Sequence, residues 1–333
     1  MKRTIGYLPK ETREELSFIL RLIRHYVKDV NMVILYGSYA RDSYVIWDER
    51  YEFGVHTSYQ SDYDILVVIS NLNTKITEEI LRHKLIETYH KHLSWRRHAT
   101  PRFIVENIKS LNQNLGNSHY FFTEIVRDGV LLYDDKQFKL TSPRILNFSE
   151  IKDFAKVEFD RYYPSAVSML DSVSSYFMKK EDWMNAAFLL HQACEKFYCV
   201  ILLVWTNYRP KNHKLEELAA MVKGFDRELS VVFPSDTPEA SDCFGLLCSA
   251  YIDARYNKDY KITREQLEYL LSRIEYLKKV TYRVCKEKLA SYEQQMTKKV
   301  IYEYPDEGQS KAADTIRGVL SASASLYHTS GLP

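Results

Sequence analysis

The sequence predicts an α+β protein: a small mixed-sheet domain over residues 1–145, an all-helical bundle over 146–295, and a weakly ordered tail over 296–333. Three observations carry this. A chain of 333 residues is long enough for two domains. Short β-branched apolar runs, of the kind buried on both faces of a sheet, fall before Pro143. After Pro143 the apolar positions recur with the 3.6-residue period of helices.

In order along the chain, Leu16, Ile19, Leu20, Ile23 and Val27 lie at helical spacing and lead into the run Met32 to Tyr36, which Gly37-Ser38 stops. A second run, Ile65 to Ile69, follows Asp62-Tyr63-Asp64, and Arg102 to Val105 is a third strand candidate. Helical stretches are expected around 75–93 and 118–127. The second half reads as helices over 150–178, 182–206, 213–222, 237–254 and 263–292, with turn signals at Arg209-Pro210-Lys211-Asn212 and Phe233-Pro234-Ser235-Asp236. Periodicity fades beyond Thr297.

Composition narrows the function classes. With 46 Lys+Arg against 44 Asp+Glu, the chain lacks the uncompensated positive charge of a nucleic-acid coat, which makes RNA the less expected partner. Its longest apolar run, Tyr198 to Trp205, is short for a spanning helix and the N-terminus lacks a signal-peptide core, so a cytoplasmic protein without a membrane partner is expected. The five cysteines are odd in number and show no Cys-x-x-Cys spacing, which reads as reduced thiols packed in helices. The 26 tyrosines leave three roles open: core bulk, a stacking surface for bases, or an acceptor hydroxyl.

One constellation carries chemistry. Gly37-Ser38, where a buried strand ends and a helix begins, offers backbone N–H groups and a hydroxyl to a phosphate. Asp62 and Asp64, two apart at a strand start, project from one face and can hold a divalent cation together. Magnesium takes a few carboxylates and fills its remaining positions with water and phosphate oxygens, so each signal explains the other.

Leu35-Tyr36-Gly37-Ser38-Tyr39-Ala40-Arg41 followed by Ser61-Asp62-Tyr63-Asp64-Ile65-Leu66-Val67 resembles the hallmark of the minimal, polymerase-β-like nucleotidyltransferases, over residues 15–140. The resemblance implies that Gly37, Ser38 and Arg41 bind a nucleoside triphosphate, with ATP the expected one. It also implies that Asp62 and Asp64 hold magnesium for in-line transfer of a nucleoside monophosphate. Two departures stand out. The span between Ser38 and Asp62 is about twice the family's usual length, so 44–59, with Tyr44, Trp47, Tyr51, Phe53, His56 and Tyr59, is expected to form a loop or lid that stacks on a base or packs on the sheet edge. The third carboxylate that many members carry on the next strand has one candidate, Glu106, on the face of Arg102 and Ile104. The stretch 82–102, including Arg96-Arg97-His98, is basic and reads as a solvated face or as a guide for nucleotide.

In the second half, Trp183 to Lys196, Asn212 to Leu218 and Asp253-Ala254-Arg255-Tyr256 resemble the HEPN helical-bundle family, over 150–290. Many HEPN members are ribonucleases with an Arg-x4–6-His motif. Here Tyr260 stands in the histidine's place, and a phenol with pKa near 10 is a poor acid–base group at pH 7, so ribonuclease action is not expected. Arg255 then reads as an ion-pair or phosphate contact and Tyr260 as a packing residue. His191 and Glu195 share a helix face and read as a surface pair, while His213 reads as part of the first turn of its helix. Similarity to kanamycin-type nucleotidyltransferases gives Glu195 a second reading, as a carboxylate that activates the acceptor.

The combined expectation is a magnesium-dependent nucleotidyltransferase whose hydroxyl or amine acceptor, a small molecule or a protein, lies between the domains, with Glu106 or Glu195 deprotonating it. A homodimer through the bundle is compatible with this. The alternative is a nucleotide-binding regulatory module of toxin–antitoxin type that has lost transfer.

Overall fold

The computed structural model describes residues 1–302 other than 53, 96, 211 and 212. Phe53, Arg96, the turn and motif positions Lys211 and Asn212, and the expected tail from 303 onward lie outside the described residues. The first domain runs α1 (Lys10–Tyr26), β1 (Val30–Tyr36), α2 (Gly37–Arg41), β2 (Asp48–Glu52), β3 (Val55–Tyr59), β4 (Tyr63–Ile69), α3 (Thr74–Ile80), a π-turn over Leu81–Leu85, α4 (Ile86–His92), β5 (Pro101–Asn107), α5 (Ile108–Gly116), α6 (Tyr120–Asp128) and β6 (Val130–Asp134).

The main sheet has the order β5-β4-β1-β6. β1 is antiparallel to both β4 and β6, while β4 and β5 are parallel. The unbroken apolar runs have the burial their composition demands, because successive residues face opposite covered sides. Val33, Leu35, Ile65, Val67 and Ile69 pack against α1 and the π-turn. Met32, Ile34, Leu66 and Val68 pack against α5 and α6. The insertion is an ordered antiparallel hairpin of β2 and β3, not a loop. Tyr44 stacks on Tyr39 at 4.3 Å and Arg97 lies over Trp47.

The second domain comprises α7 (Phe148–Ser172), a π-turn over Val173–Phe177, α8 (Trp183–Thr206), α9 (Leu215–Val222), a 3₁₀ turn over Arg227–Ser230, α10 (Pro238–Ser249), α11 (Asp253–Tyr256) and α12 (Arg264–Tyr302). Side-chain caps mark the starts: Asn147 and Glu150 form a capping box on α7, and Asp182 and Thr237 cap α8 and α10. α8 is the axis of the bundle. It is long and apolar enough to cross a membrane by composition alone, but 78% of that apolar stretch is buried inside the protein, which marks a core helix. All five cysteines are free.

Two expectations change here. His191 and Glu195 are 0% and 4% exposed, so they are not a surface pair; α7, α9, α11 and α12 cover α8 from several sides. Arg255, expected as an ion-pair or phosphate contact, donates to the Tyr251 carbonyl and lies over the Phe188 and Tyr251 rings. Tyr260 does pack: it is 7% exposed and its hydroxyl donates to the Leu246 carbonyl. The domains meet along three seams: Arg82 of the π-turn with Glu217 of α9 at 3.1 Å, Tyr208 stacked on Phe121 at 4.2 Å, and Tyr59 of β3 against Gly224.

Candidate active site

β1 ends at Tyr36, and the register places Tyr36, Asp64 and Arg102 side by side across β1, β4 and β5. The chain then turns through Gly37 at φ +73, where a side chain is strained. A Cβ at Gly37 would sit 2.1 Å from Asp64 Oδ2, inside any allowed contact. Glycine is therefore required twice, for its backbone angle and for the approach of this carboxylate. α2 starts at the turn with no side-chain cap. Its C-terminal end is held from outside, since Lys2 Nζ and Tyr7 Oη donate to the carbonyls of Ala40 and Tyr39 at 2.9 Å.

Behind the aspartates lies a tyrosine network. Tyr63, between Asp62 and Asp64, points to the opposite face and donates to Glu15 Oε2 at 2.7 Å. Tyr89 donates to the same oxygen at 3.1 Å, and Tyr39 packs on Tyr63 at 4.5 Å. Glu15 is only 6% exposed. The network ties α1, α2, β4 and α4 together beneath the site.

The aspartates face a cavity of about 610 Å³ between the domains. Gly37, Ser38, Arg41, Asp62 and Asp64 line one wall, while Trp205, Gly224, Phe225 and Lys288 line the other. Burial pushes the Asp64 carboxyl up to about 7, against the pull of Arg102 and with Asp62 adding to the rise. Burial also raises Asp62, opposed by Arg102 and then Lys223. Lys223 and Lys288 are lowered by burial in turn. Charges of both signs are thus held in a shielded cleft, where electrostatic interactions are strong.

A second cavity, about 460 Å³, shares Tyr36, Asp64, Arg102 and Tyr208 with the first. Its remaining lining includes Glu78, Glu79, Glu106, Glu216 and Glu217 against Lys75 and Arg82. Two chambers therefore meet at Asp64 and Arg102, one carrying the Gly-Ser turn and cations from both domains, the other rich in carboxylates.

The structure brings Gly37, Ser38, Arg41, Asp62 and Asp64 together and keeps Glu106 and Glu195 apart from them. Glu106 pairs with Val68, four residues along β4 from Asp64, and lines the acidic chamber. Arg102 stands opposite Asp64, with Nη2 2.7 Å from Asp62 Oδ2. Glu195 lies inside the bundle, where its Oε1 accepts from His213 Nδ1 at 2.9 Å. His213 precedes α9 and does not belong to its first turn. Of the basic stretch, Arg82 and Arg102 enter the cleft. Arg102, Lys223, Lys288 and Tyr208 escape sequence reasoning because only tertiary packing brings them here.

Among the described residues no three His, Cys, Asp or Glu side chains form a metal cage. Asp62 and Asp64 alone nevertheless suit a magnesium ion that completes its shell with water and phosphate oxygens. Burial without full neutralisation of Asp64 is the environment such a cation relieves.

No curated protein matches the chain. Among solved structures, spectinomycin adenyltransferase AAD(9) from Enterococcus faecialis, determined with ATP and spectinomycin, aligns over 79% of this chain and 99% of that chain at 13% identity, with a TM-score of 0.27. That score is too low to assign a fold. The family model of the HEPN domain matches residues 166–284, from within α7 to within α12. The matched residues make up the greater part of the helical bundle.

Proposed function

We propose that the chain is a nucleotidyltransferase that moves a nucleoside monophosphate from a nucleoside triphosphate, ATP in the first instance, to a cationic small-molecule acceptor held between the domains. The observation that carries this is the junction of the two chambers at Asp64. The turn at Gly37-Ser38 and the cations Arg41, Arg102 and Lys288 suit a triphosphate on one side. Five glutamates suit an amine-bearing acceptor on the other.

Asp62 and Asp64 would hold magnesium, which would neutralise phosphate charge during transfer. Arg41 and Lys288 bind phosphate oxygens from the two domains, so triphosphate binding draws the HEPN domain onto the sheet domain. Glu106 and Glu216 orient the acceptor amines. The acceptor oxygen or nitrogen attacks the α-phosphorus and gives up its proton to a carboxylate of the acidic chamber, the α–β bridge breaks, and pyrophosphate leaves through the cationic chamber. Positioning of the two substrates supplies most of the rate, as is general for phosphoryl and nucleotidyl transfer.

The test is incubation with α-labelled ATP and magnesium, alone and with spermidine, an aminocyclitol or glycerol. Labelled amine-bearing product with stoichiometric pyrophosphate is the expected result. Nucleotide binding without pyrophosphate release under any acceptor would refute transfer and identify a nucleotide-binding regulator.

A further inference from the structure

We infer that Arg102 is a built-in counter-cation for the aspartate pair, one that must leave Asp62 before a divalent cation binds, so that metal enters the site together with the nucleotide. This rests on the nucleotidyltransferase reading of the cleft. The register sets Arg102 opposite Asp64, and its guanidinium bonds Asp62 Oδ2 at 2.7 Å, with the two side chains only 22% and 18% exposed. An oxygen a divalent cation would need is therefore already engaged by a charge-assisted hydrogen bond.

The surroundings reinforce the block. Lys223 acts electrostatically on Asp62 and on Arg102, and Arg41 acts on Asp64. Arg102, Lys223 and Arg41 thus act directly on the two carboxylates, so part of the pair's attraction for a bare divalent ion is already taken up by cations. A triphosphate reverses that balance. The guanidinium fork matches phosphate as well as it matches carboxylate, and Arg102 lines both chambers. Phosphate oxygens can thus take Arg102 from Asp62 and free the carboxylate for the metal. The two bindings are then linked, and each tightens the other by the same factor.

The experiment measures manganese affinity by electron paramagnetic resonance on the whole chain, with and without a non-hydrolysable ATP analogue. Three proteins are compared: the parent, Arg102→Gln and Arg102→Lys. In the absence of nucleotide, Arg102→Gln is expected to bind manganese at least about tenfold tighter than the parent, and Arg102→Lys is expected to behave like the parent. The analogue is expected to tighten manganese binding to the parent by a similar factor and to have much less effect on Arg102→Gln. Adding Asp62→Asn to Arg102→Gln is expected to abolish the gain. Equal nucleotide-free affinities for parent and Arg102→Gln, alongside magnesium-dependent transfer by the parent, overturn the inference and leave the function standing. Absence of manganese binding from every protein, with and without nucleotide, overturns both.

Discussion

Replacement of Gly37 by alanine isolates the contact on which the site is built. The new Cβ meets two penalties. At φ +73 an L-residue costs about 1–2 kcal/mol in backbone strain. The Cβ also lies 2.1 Å from Asp64 Oδ2, so the turn or the carboxylate must retreat by about 1 Å. A displacement of that size at reacting groups costs roughly a hundredfold in rate. Gly54 provides a matched control, since its φ is +78 but nothing among the described residues lies within 4 Å of its Cβ position. Gly54→Ala should show the strain alone, and Gly37→Ala the strain plus the loss of transfer. Thermal melting and pyrophosphate release, read on both variants, separate the two terms. Both variants should lose a few degrees of Tm, but only Gly37→Ala should lose about two orders of magnitude in kcat/KM. A Gly37→Ala protein with parental kcat/KM would refute the placement of Asp64 against this turn.

Three further outcomes are expected. Asp62→Asn and Asp64→Asn should each weaken magnesium-dependent nucleotide binding by at least about tenfold, measured by calorimetry, while binding in EDTA changes little; equal magnesium dependence in parent and variants would remove both residues from the metal role. Glu15→Gln should cost about 2 kcal/mol in urea denaturation, because the buried carboxylate accepts from Tyr63 and Tyr89, and an unchanged midpoint would mean the network does not hold β4. His191 is pushed down to about 4 from 6.5 by burial first and by His213 second. The unfolded chain therefore takes the proton first, and the contribution, intact above pH 6.5, is lost as pH falls toward 4, on the order of 3 kcal/mol. Urea midpoints from pH 7 to 4 should fall more steeply for the parent than for His191→Leu, and parallel curves would contradict the assignment.

The strands of the sheet were legible because β1 and β4 are buried on both faces, which a short β-branched run reports directly. β6 was missed: Val130 is its buried residue and the rest of the strand is half-exposed, so Val-Leu-Leu-Tyr-Asp lacks a decisive pattern. The β2–β3 hairpin was hidden for a related reason. Asp-Glu-Arg-Tyr-Glu is poor in β-formers, and among the described residues β2 pairs only with its neighbour β3. The turn and the aspartate pair were legible because both belong to short segments whose chemistry is local. The position of Glu106 relative to the aspartates was not. Alternation identified its face, but its position along that face depends on the register between β4 and β5, which no single strand encodes.

That same register explains why the cleft is organised as it is. One step of two residues along β5 exchanges Arg102 for Ile104, and another brings Glu106, so the strand offers a cation at the aspartates and a carboxylate deeper in the acidic chamber. A carboxylate at position 102 would place a third negative charge beside two whose ionisation burial already disfavours. Arginine there stabilises the pair and stands between a chamber lined by cations of both domains and one rich in carboxylates. Lys288 of α12 lines the cavity from the helical bundle, and Lys223, just after α9, acts electrostatically on Asp62. The bundle therefore forms the second wall of the cavity, and under the proposed function the charge of a bound nucleotide would hold that wall in place.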